Sequence, residues 1–370
     1  MEIIHIVLGK ANPDRMNGVN KVVYQLATRQ SSSGKNVSVW GITSSPDHNY
    51  GARNFETRLY QAYRNPFRLS EKLVSDLKEK KGKAVIHLHG GWIPVFCRLA
   101  KALSNMEIPF VFTPHGAYNA VAMKRIGWLK KIYFPLFERK LLTRAGKIHC
   151  IGESEVSGLS KIFPTDKTVL LPYGYESPVN GIKKRTHERQ FIIGFVGRLD
   201  IHTKGLDLLL EAFGDFYITC PRAAVWLVGD GSERKKLEQM ILDRHLENSV
   251  IVWGSKFGTA KEELMQQMDV FVHPSRNEGL PSAVLEAAAI GIPCVVSKAT
   301  NVGQYIQQYH AGRTIDNENP EQLRLALEEL CRLKKDGQLN EMGKNGMRMV
   351  AEAFNWNHII REFDQLYHQV

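Results

Sequence analysis

The chain has 370 residues, of which 43% are hydrophobic and 24% are charged. These proportions are ordinary for a globular protein and suggest neither disorder nor a disulfide framework, while the length favours two domains over one. No run approaches the roughly 20 apolar residues that span a bilayer, and the N-terminus lacks the features of a secretory leader. The five cysteines are scattered without close pairing, which excludes a disulfide framework and a cysteine zinc site. We therefore expect a cytoplasmic protein with reduced cysteines.

Charge is distributed unevenly along the sequence. Residues 1–172 contain 26 lysines and arginines against 12 acidic residues, whereas residues 173–370 contain 23 against 26. The first half is therefore strongly basic and the second half slightly acidic. A basic half predicts an anionic partner, for which nucleic acid, an anionic membrane face and a diphosphate-bearing substrate are the alternatives.

Short apolar runs alternate with helical patterns through the first half of the chain. In chain order, the predicted elements are the strand IIHIVL, a helix over Val19–Gln30, the strand VSVWGI, a helix over Leu69–Glu79, the strand AVIHLHG, a helix over Val95–Ser104, the strand PFVFTPHG and, after a further helix, the strand TVLLPYG. Strands with that spacing are typical of βαβ units, which build parallel sheets.

The same alternation restarts after a segment rich in proline, glycine and charge, ESPVNGIKKRTHERQ. The predicted elements are FIIGFVGRLD, a helix near Gly205–Phe216, AAVWLVGDG, a helix over Glu233–Leu242, SVIVWG, a helix over Ala260–Met268, VFVHPS, a helix over Pro281–Ala289, and IPCVVS. We predict an α/β protein with two doubly wound, Rossmann-like parallel-sheet domains that face a cleft. The first domain covers residues 1–172 with a C-terminal helix over 355–370, the second covers 190–354, and the linker covers about 173–189.

Ligands of parallel sheets bind beyond the carboxyl ends of the strands, so the loops after the apolar runs form the candidate site. The loop after VFVHPS carries Glu278 and Glu286, which bracket Gly279, Leu280 and a predicted helix N-terminus. Free amides and a partial positive charge make such a terminus a diphosphate site. The two carboxylates can accept hydrogen bonds from the hydroxyls of a sugar and a ribose. The alternative is a solvated Glu278 and a Glu286 that only complements the helix dipole.

Two further loops of the second domain offer contacts to a ligand. Arg198 and Lys204 follow FIIGFVG, and such cations can neutralise the charge that grows on a departing diphosphate. A solvated basic loop is the alternative interpretation. Gly229 follows AAVWLV in a Gly-x-Gly pattern, which lets the backbone approach a ligand but lacks the third glycine of a dinucleotide-binding fingerprint.

The first domain has a candidate anion cradle at Asn17 and Gly18, which open a predicted helix. His115 follows FVFTP, which predicts that it projects from a strand end, with a hydrogen-bonded structural histidine as the alternative. His87 and His89 lie two apart on one predicted strand and therefore share a face. No third ligand with suitable spacing accompanies them, so the sequence predicts no metal site.

Four motifs give the sequence a specific resemblance. They are Gly197-Arg-Leu with Lys204-Gly205, Val228-Gly-Asp-Gly231, Glu278-Gly-Leu-Pro with Glu286, and Thr113-Pro-His-Gly116. Together they resemble the retaining family 4 glycosyltransferases of GT-B architecture, particularly those that build bacterial surface polysaccharides such as capsule, O-antigen lipopolysaccharide and exopolysaccharide. The match extends over essentially the whole chain in order, and the element from Glu278 to Glu286 is its most specific part.

The resemblance implies a hexosyltransferase that moves a sugar from a nucleotide-diphosphate donor to a glycan or polyprenyl-diphosphate-linked acceptor, with retention and without a metal or other cofactor. The implied catalytic residues are His115, Glu278, Arg198 and Lys204. The implied donor-binding residues are Gly18, Arg198, Lys204, Gly229, Gly254, Lys256, Phe257, Glu278, Gly279, Leu280 and Glu286. By the same resemblance the two cations bind the diphosphate, Glu278 the sugar, Glu286 the ribose, Gly18 the phosphates, His115 the reacting sugar, and the loop Gly254–Phe257 the nucleobase.

The chain departs from the family at Pro172-Tyr173-Gly174, where Pro-Asn-Gly is usual, which puts the local hinge contact in doubt. A nucleotide-sugar epimerase of the same fold is one alternative, although it would lack the Arg198 and Lys204 pair together with the Glu278 to Glu286 spacing. A basic nucleic-acid-binding protein is another, but neither interleaved aromatic residues nor a helix-turn-helix is visible, so we expect no nucleic acid. The absence of Asp-x-Asp from the sequence favours a metal-free transferase.

The segment Lys124–Arg144 predicts contact with a membrane. It contains seven basic residues against the single acid Glu138, and its apolar residues recur at helical spacing beside Trp128. Pro135 is expected to kink this helix. With the basic first half, the segment predicts peripheral attachment to the anionic inner face of the cytoplasmic membrane. Packing of the apolar stripe in an ordinary core is the alternative.

Overall fold

The computed structural model describes residues 1–12, 18–47, 50–119, 123, 127–175 and 190–370. The chain forms two compact units. Unit 1 comprises Met1–Gly174 together with Trp356–Val370, and unit 2 comprises Tyr175–Asn355. Most of the predicted linker, residues 176–189, lies outside the described residues, as does Asn17.

Unit 1 is built on a seven-stranded sheet. Its strands are β1 (Glu2–Leu8), β2 (Val37–Thr43), β3 (Glu56–Gln61), β4 (Ala84–His89), β5 (Phe110–Thr113), β6 (Lys147–Cys150) and β7 (Thr168–Leu170). The order across the sheet is β3-β2-β1-β4-β5-β6-β7, and every neighbouring pair is parallel. Because the order runs outward in both directions from β1, the predicted doubly wound arrangement is confirmed in this unit.

Helices cover both faces of this sheet, which is why β4 is buried along its whole length. The helices are α1 (Gly18–Ser32), α2 (Glu71–Lys78), α3 (Pro94–Asn105), α4 (Gly127–Tyr133), α5 (Arg139–Arg144) and α6 (Glu153–Ile162), with a π-helical segment (Phe134–Glu138) between α4 and α5. Pro135 lies in that π-helical segment, where its missing amide removes a regular helical hydrogen bond. Lys124 and Arg125 of the basic segment lie outside the described residues.

The two faces of the unit 1 sheet differ in chemistry because alternate residues of a strand point to opposite sides. On one face, the isoleucines, leucines and phenylalanines of β1, β4 and β5 form the apolar core with α2, α3 and α5. On the other face lie five polar residues, His5, His87, His89, Thr113 and His149. Strand pairing places His5 opposite His87 and His89 opposite Thr113. One face of the buried sheet, which we call the polar face, therefore carries a cluster of polar side chains among its apolar ones.

Unit 2 is built on a six-stranded parallel sheet. Its strands are β8 (Phe191–Val196), β9 (Ala223–Val228), β10 (Val250–Gly254), β11 (Val270–His273), β12 (Cys294–Ser297) and β13 (Gly312–Ile315). The order is β10-β9-β8-β11-β12-β13, so this unit is also doubly wound, as predicted. Alternation along the strands sends apolar side chains to both faces, and each face has its own apolar core.

The helices of unit 2 complete both cores. They are α7 (Ile201–Lys204), α8 (Leu206–Thr219), α9 (Arg234–Asp243), α10 (Gly258–Met265), α11 (Ser282–Ala289), α12 (Gly303–Gln308), α13 (Pro320–Lys335) and α14 (Leu339–Ala353), with a 3-10 turn at Lys298–Thr300. The final helix, α15 (Trp356–His368), belongs to unit 1 and buries Phe363 and Tyr367 there. Gly174 allows the start of α15 to pack closely against the chain, because a Cβ atom on Gly174 would lie 2.4 Å from the Trp356 ring.

Three strands are absent from the sequence-based prediction. The edge strand β3 reads ETRLYQ, and only Tyr60 in it is buried, so it has no apolar run to detect. β6 is short and contains Lys147 and His149, and β13 is the edge strand GRTI. Among the described residues, no helix combines the length and the apolar content needed to cross a bilayer.

Candidate active site

The loop between β11 and α11 presents Glu278. The side-chain amide of Asn301 donates to the carbonyl oxygens of Glu278 and Gly279, at 2.8 and 2.9 Å. The Glu278 amide donates in turn to the Ala299 carbonyl at 3.3 Å. These bonds fix the backbone of the loop, so the Glu278 side chain leaves from a defined point ahead of α11.

The carboxylate of Glu278 is held by two cation-capable groups. Oε1 accepts a hydrogen bond from His273 Nε2 at 3.0 Å and contacts the ammonium of Lys204. Burial alone would raise the pKa of Glu278, but the hydrogen bond from His273 and the charge of Lys204 outweigh it and lower the pKa to about 2. Glu278 is therefore ionised at neutral pH, and it still exposes 16% of its side chain.

His273, which the sequence analysis did not select, is the residue that orients Glu278. Its buried ring lies parallel to the rings of Phe195 and Phe271, with centroids 5.5 and 6.2 Å away. Nε2 faces Glu278, and Nδ1 has no hydrogen-bond partner among the described residues. Because a carboxylate can only accept, the ring must carry its proton on Nε2. The signal in the sequence is a histidine at the end of an apolar strand, VFVH.

Lys204 reaches Glu278 because two loops pack directly against each other. Gly205 follows Lys204 with φ of +67°, and a Cβ atom there would lie 2.2 Å from the Pro274 carbonyl oxygen. The hydroxyl of Ser275 donates to the Thr203 carbonyl at 2.7 Å and completes the contact. The approach of the two loops is thus set by the backbone, and only glycine fits where they meet.

The loops that carry Arg198 and Gly229 are also packed together. Gly229 has φ of +147°, and a Cβ atom on it would lie 1.8 Å from the Gly197 carbonyl oxygen. A Cβ atom on Gly231 would lie 2.5 Å from the Leu199 carbonyl oxygen. Loop packing by itself therefore requires both glycines. Arg198 lies in the chain between Gly197 and Leu199, the two residues that these glycines contact, and its side chain is exposed.

The remaining predicted residues of unit 2 lie at the same carboxyl-end loops of the sheet. Glu286 lies in α11 and pairs with Lys261 of α10 at 2.5 Å, with both side chains partly exposed. β10 ends at Gly254, which has φ of +70°. After it, Lys256 is exposed and Phe257 exposes 80% of its surface. An apolar ring with that exposure offers a free face for stacking.

In unit 1, His115 lies directly after β5 in a constrained loop. Its φ is +56°, and Glu155 of α6 holds the neighbouring backbone by accepting the Gly116 amide at 2.5 Å and the Ile151 amide at 3.3 Å. The imidazole lies parallel to the Tyr173 ring at 5.9 Å. The pKa of His115 is lowered to about 3, mainly because the ring is buried. The ring is therefore neutral at physiological pH.

Gly18 is the exposed first residue of α1. The residues just before it, 13–17, lie outside the described part of the chain, so the candidate cradle at Asn17 is not described. The β1 end beside it is fixed by Asn20, which accepts the Ala11 amide at 2.7 Å and donates to the Leu8 carbonyl at 3.2 Å. Asn20 was not selected from the sequence, where it is one polar residue in a helical pattern.

His87 and His89 do have a third histidine beside them. Ring nitrogens of His5, His87 and His89 lie within 4.8 Å of one another, so the expectation that no third ligand accompanies the pair is wrong. The reason is long-range, because His5 comes from β1, which pairs with β4. Every ring nitrogen of the three already has a hydrogen-bond partner within the protein.

Two family profiles match the chain, one for each half. Residues 16–176 match the family described as "Glycosyltransferase Family 4", and residues 180–349 match "Glycosyl transferases group 1". A curated relative from Escherichia coli, "UDP-Gal:alpha-D-GlcNAc-diphosphoundecaprenol alpha-1,3-galactosyltransferase", is 24% identical over 315 residues, covering 78% of this chain and 76% of the relative.

Solved structures show the same fold at low sequence identity. Anabaena Alr3699/HepE in complex with UDP is similar over 100% of both chains, with a TM-score of 0.73 and 15% identity. The lipopolysaccharide outer core galactosyltransferase WaaB, in its apo form, is similar over 100% of this chain and 99% of that chain, with a TM-score of 0.73 and 16% identity.

Proposed function

Because the chain belongs to the family 4 glycosyltransferases of GT-B type, we propose that it transfers a hexose from a nucleotide-diphosphate sugar, with retention, to a glycan or a polyprenyl-diphosphate-linked acceptor. The product is a bacterial cell-surface polysaccharide. The observation that carries the proposal is the contact of Lys204 with Glu278 at the loop that precedes α11. The relative that acts on a diphosphoundecaprenol-linked sugar supports the class of acceptor, and the neighbour bound to UDP supports the class of donor.

Unit 2 supplies the groups for the donor. Lys204 and the exposed Arg198 would neutralise the charge that develops on the departing diphosphate, which is the main electrostatic demand of the reaction. The amides at the start of α11 add partial positive charge. We assign Glu278 to hydroxyls of the transferred sugar, because an ionised carboxylate accepts hydrogen bonds from hydroxyls.

Four further assignments complete the donor site. Glu286 binds the ribose, as an accessible acceptor on α11. The loop Gly254–Phe257, with Lys256, lies against the nucleobase, where the exposed Phe257 ring can stack. In the same group of loops, the backbone at Gly229, Gly279 and Leu280 contacts the donor. Gly18 of unit 1 contacts the phosphates of the donor.

We assign His115 to the reacting sugar. A neutral imidazole can accept a hydrogen bond from a hydroxyl or donate one to it, whereas a cation could not accept. We also propose that the reaction needs no metal ion, because Lys204, Arg198 and the α11 amides supply the positive charge for the leaving group. The lack of an Asp-x-Asp motif in the sequence supports this proposal.

The experiment that tests the function begins with donors. Thermal shift with UDP-, GDP- and ADP-sugars should identify a stabilising donor, and proton NMR of the product formed with an α-configured donor should show an α-linkage. Turnover should be undiminished in excess EDTA. An inverted linkage would contradict retention, loss of activity to EDTA would contradict metal independence, and epimerised donor without transfer would favour the epimerase alternative.

We further propose that unit 1 works at an anionic membrane face on the cytoplasmic side, where a lipid-linked acceptor is presented. Four apolar side chains in and after α4 are exposed: Trp128 (68%), Leu129 (47%), Ile132 (56%) and Leu136 (50%). Exposure of these four argues against the core-packing alternative for them. The exposed cations Lys131, Arg139 and Lys140 lie on the same segment. Apolar side chains among cations suit an interface with anionic lipid headgroups.

A further inference from the structure

A continuous hydrogen-bonded network crosses the polar face of the unit 1 sheet. We call it the histidine network, and its members are His115, His89, His5, Gln30, Tyr367, His87, Thr113, His149 and the carbonyl group of Leu171. In that order, the distances between successive partner atoms are 3.0, 2.9, 2.7, 3.2, 2.8, 2.6, 2.7 and 2.7 Å. Strands β1, β4, β5 and β6 contribute members, and so do helices α1 and α15.

The direction of these bonds is fixed at one end because the Leu171 carbonyl can only accept. His149 must therefore donate from Nε2, and a neutral His149 must accept at Nδ1 from the Thr113 hydroxyl. Thr113 has then used its proton, so its oxygen accepts from His87 Nε2. His87 in turn accepts at Nδ1 from the hydroxyl of Tyr367.

The same reasoning continues from Tyr367 to His115. The Tyr367 oxygen accepts from the Gln30 amide nitrogen, and the Gln30 carbonyl oxygen accepts from His5 Nε2. His5 accepts at Nδ1 from His89 Nε2, and His89 accepts at Nδ1 from His115 Nε2. Every hydrogen bond in the network thus has the same direction, and His115 carries its proton on Nε2.

This derivation needs neutral rings, which the buried position favours. Burial lowers the pKa of His5 and of His149 to about 4, and it lowers the pKa values of His87 and His89 well below the ordinary value. A cationic ring inside the network would instead reverse the hydrogen bonds between itself and His115, so the single direction holds only while every ring is neutral.

We propose that the histidine network is a positioning device that fixes His115 as the Nε2–H tautomer and leaves its Nδ1 as a hydrogen-bond acceptor for the substrate. Within the described part of the chain, Nε2 makes the only hydrogen bond of the His115 ring. Tyr367 and Gln30 are thereby positioning residues for a side chain they do not touch. The part that concerns catalysis rests on the proposed function, in which His115 contacts the reacting sugar.

Tyr367→Phe tests the direction of the network without removing a ring. The Leu171 end stays anchored, so His149 and His87 keep their protons on Nε2. The other segment loses its anchor, because the Gln30 amide can rotate and reverse every bond from His5 to His115. In nitrogen-15 NMR of the histidine-labelled full chain, we therefore expect mixed tautomers at His5, His89 and His115 in the variant only.

Two further variants make the result specific. Thr113→Val cuts the network nearer its anchor, so His87 should join the residues with mixed tautomers. Tyr60→Phe is the matched control, since the Tyr60 hydroxyl is bonded to Asp76 outside the network. It should leave all five histidines unchanged. A proton on Nδ1 of wild-type His115, unchanged tautomers in Tyr367→Phe, or a stoichiometric metal ion on the three clustered histidines would overturn the proposal.

Kinetics with the donor found by thermal shift test the catalytic part. Tyr367→Phe should lower kcat by roughly 2-fold to 10-fold with little change in KM for the donor, because about half of the molecules would hold the unproductive tautomer. An unchanged kcat despite mixed tautomers would overturn the positioning role. A wild-type chain that transfers no sugar would instead refute the proposed function, and the NMR result would still decide the direction of the network.

Discussion

The ammonium of Lys204 contacts the carboxylate of Glu278, although the two residues lie 74 positions apart in the sequence. A donor diphosphate would compete for the cation, while sugar hydroxyls would compete for the carboxylate. Glu278→Gln keeps the shape of the side chain and removes its charge. We expect turnover to fall by about 100-fold or more, the usual order for losing a transition-state contact.

A matched control for that variant exists in the same unit. Lys298 and Asp316 form an exposed ion pair, with 2.5 Å between their charged atoms, and neither side chain contacts the Glu278 carboxylate, so Asp316→Asn should leave turnover unchanged. Turnover is measured with the donor at saturation and circular dichroism reports folding. A folded Glu278→Gln protein with normal turnover would refute the role of Glu278.

Gly229 packs against the Gly197 carbonyl so closely that no side chain fits. Gly229→Ala should therefore destabilise unit 2 by roughly 3 kcal/mol, through steric overlap and a positive φ that alanine disfavours. Gly214→Ala is the control, because Gly214 lies in α8 with open space around its Cβ position. Thermal unfolding compares the two variants. Equal melting temperatures would show that the Gly197 and Gly229 loops can move apart without a loss of stability, and would contradict this prediction.

Glu155 should give unit 1 a distinct dependence on pH. Burial raises the pKa of Glu155 to about 7, despite the amides that donate to it. Between pH 4.5 and 7 the folded state keeps a proton that the unfolded chain has lost. The stability that Glu155 contributes is therefore present below about pH 4.5, declines as pH rises, and is lost above pH 7.

The comparison with Glu155→Gln isolates this effect, because both proteins share the same buried histidines. Relative to the variant, the wild type should lose up to about 3 kcal/mol of stability between pH 4.5 and pH 8. Thermal unfolding of both proteins across that range measures the difference. Parallel profiles would mean that Glu155 is ionised throughout.

Membrane binding is expected to depend on the exposed apolar side chains and the exposed cations of the segment from α4 to α5. Full-length protein should co-sediment with phosphatidylglycerol vesicles at low salt and be released at high salt, because the attraction is electrostatic. Lys131→Glu with Lys140→Glu should reduce binding, and Lys298→Glu in unit 2 is the control. Equal recovery with neutral and anionic vesicles, or no binding to either, would contradict the proposal.

The sequence predicted most of the fold because the signals are local. An apolar run such as FIIGFVG identifies a buried parallel strand without reference to the rest of the chain. The edge strand β3 was missed because an edge needs few apolar residues, and ETRLYQ buries only Tyr60. Helix ends were predicted to within a few residues, since α1 begins at Gly18 and α11 at Ser282.

The candidate site was less accessible from the sequence because its contacts are long-range. Glu278 and Lys204 could be selected from motifs, but their mutual contact requires β8 and β11 to be neighbours. His273 ends the apolar strand VFVH, and its role could be recognised only from its contact with Glu278, which lies in the following loop. In the histidine network, Gln30 and Tyr367 are 337 residues apart, and no local pattern joins a helix near one end of the sequence to a helix near the other.

The return of α15 to unit 1 has a consequence for how the protein is made. Synthesis proceeds from the N-terminus, so the whole of unit 2 leaves the ribosome before Tyr367 does. Until then, the amide of Gln30 and Nδ1 of His87 lack the hydroxyl that satisfies both of them in the finished protein. A nascent unit 1 thus lacks the helix that covers His87 and completes its hydrogen bonds, while unit 2 has its full set of strands. The second unit to be synthesised is the first that can finish folding.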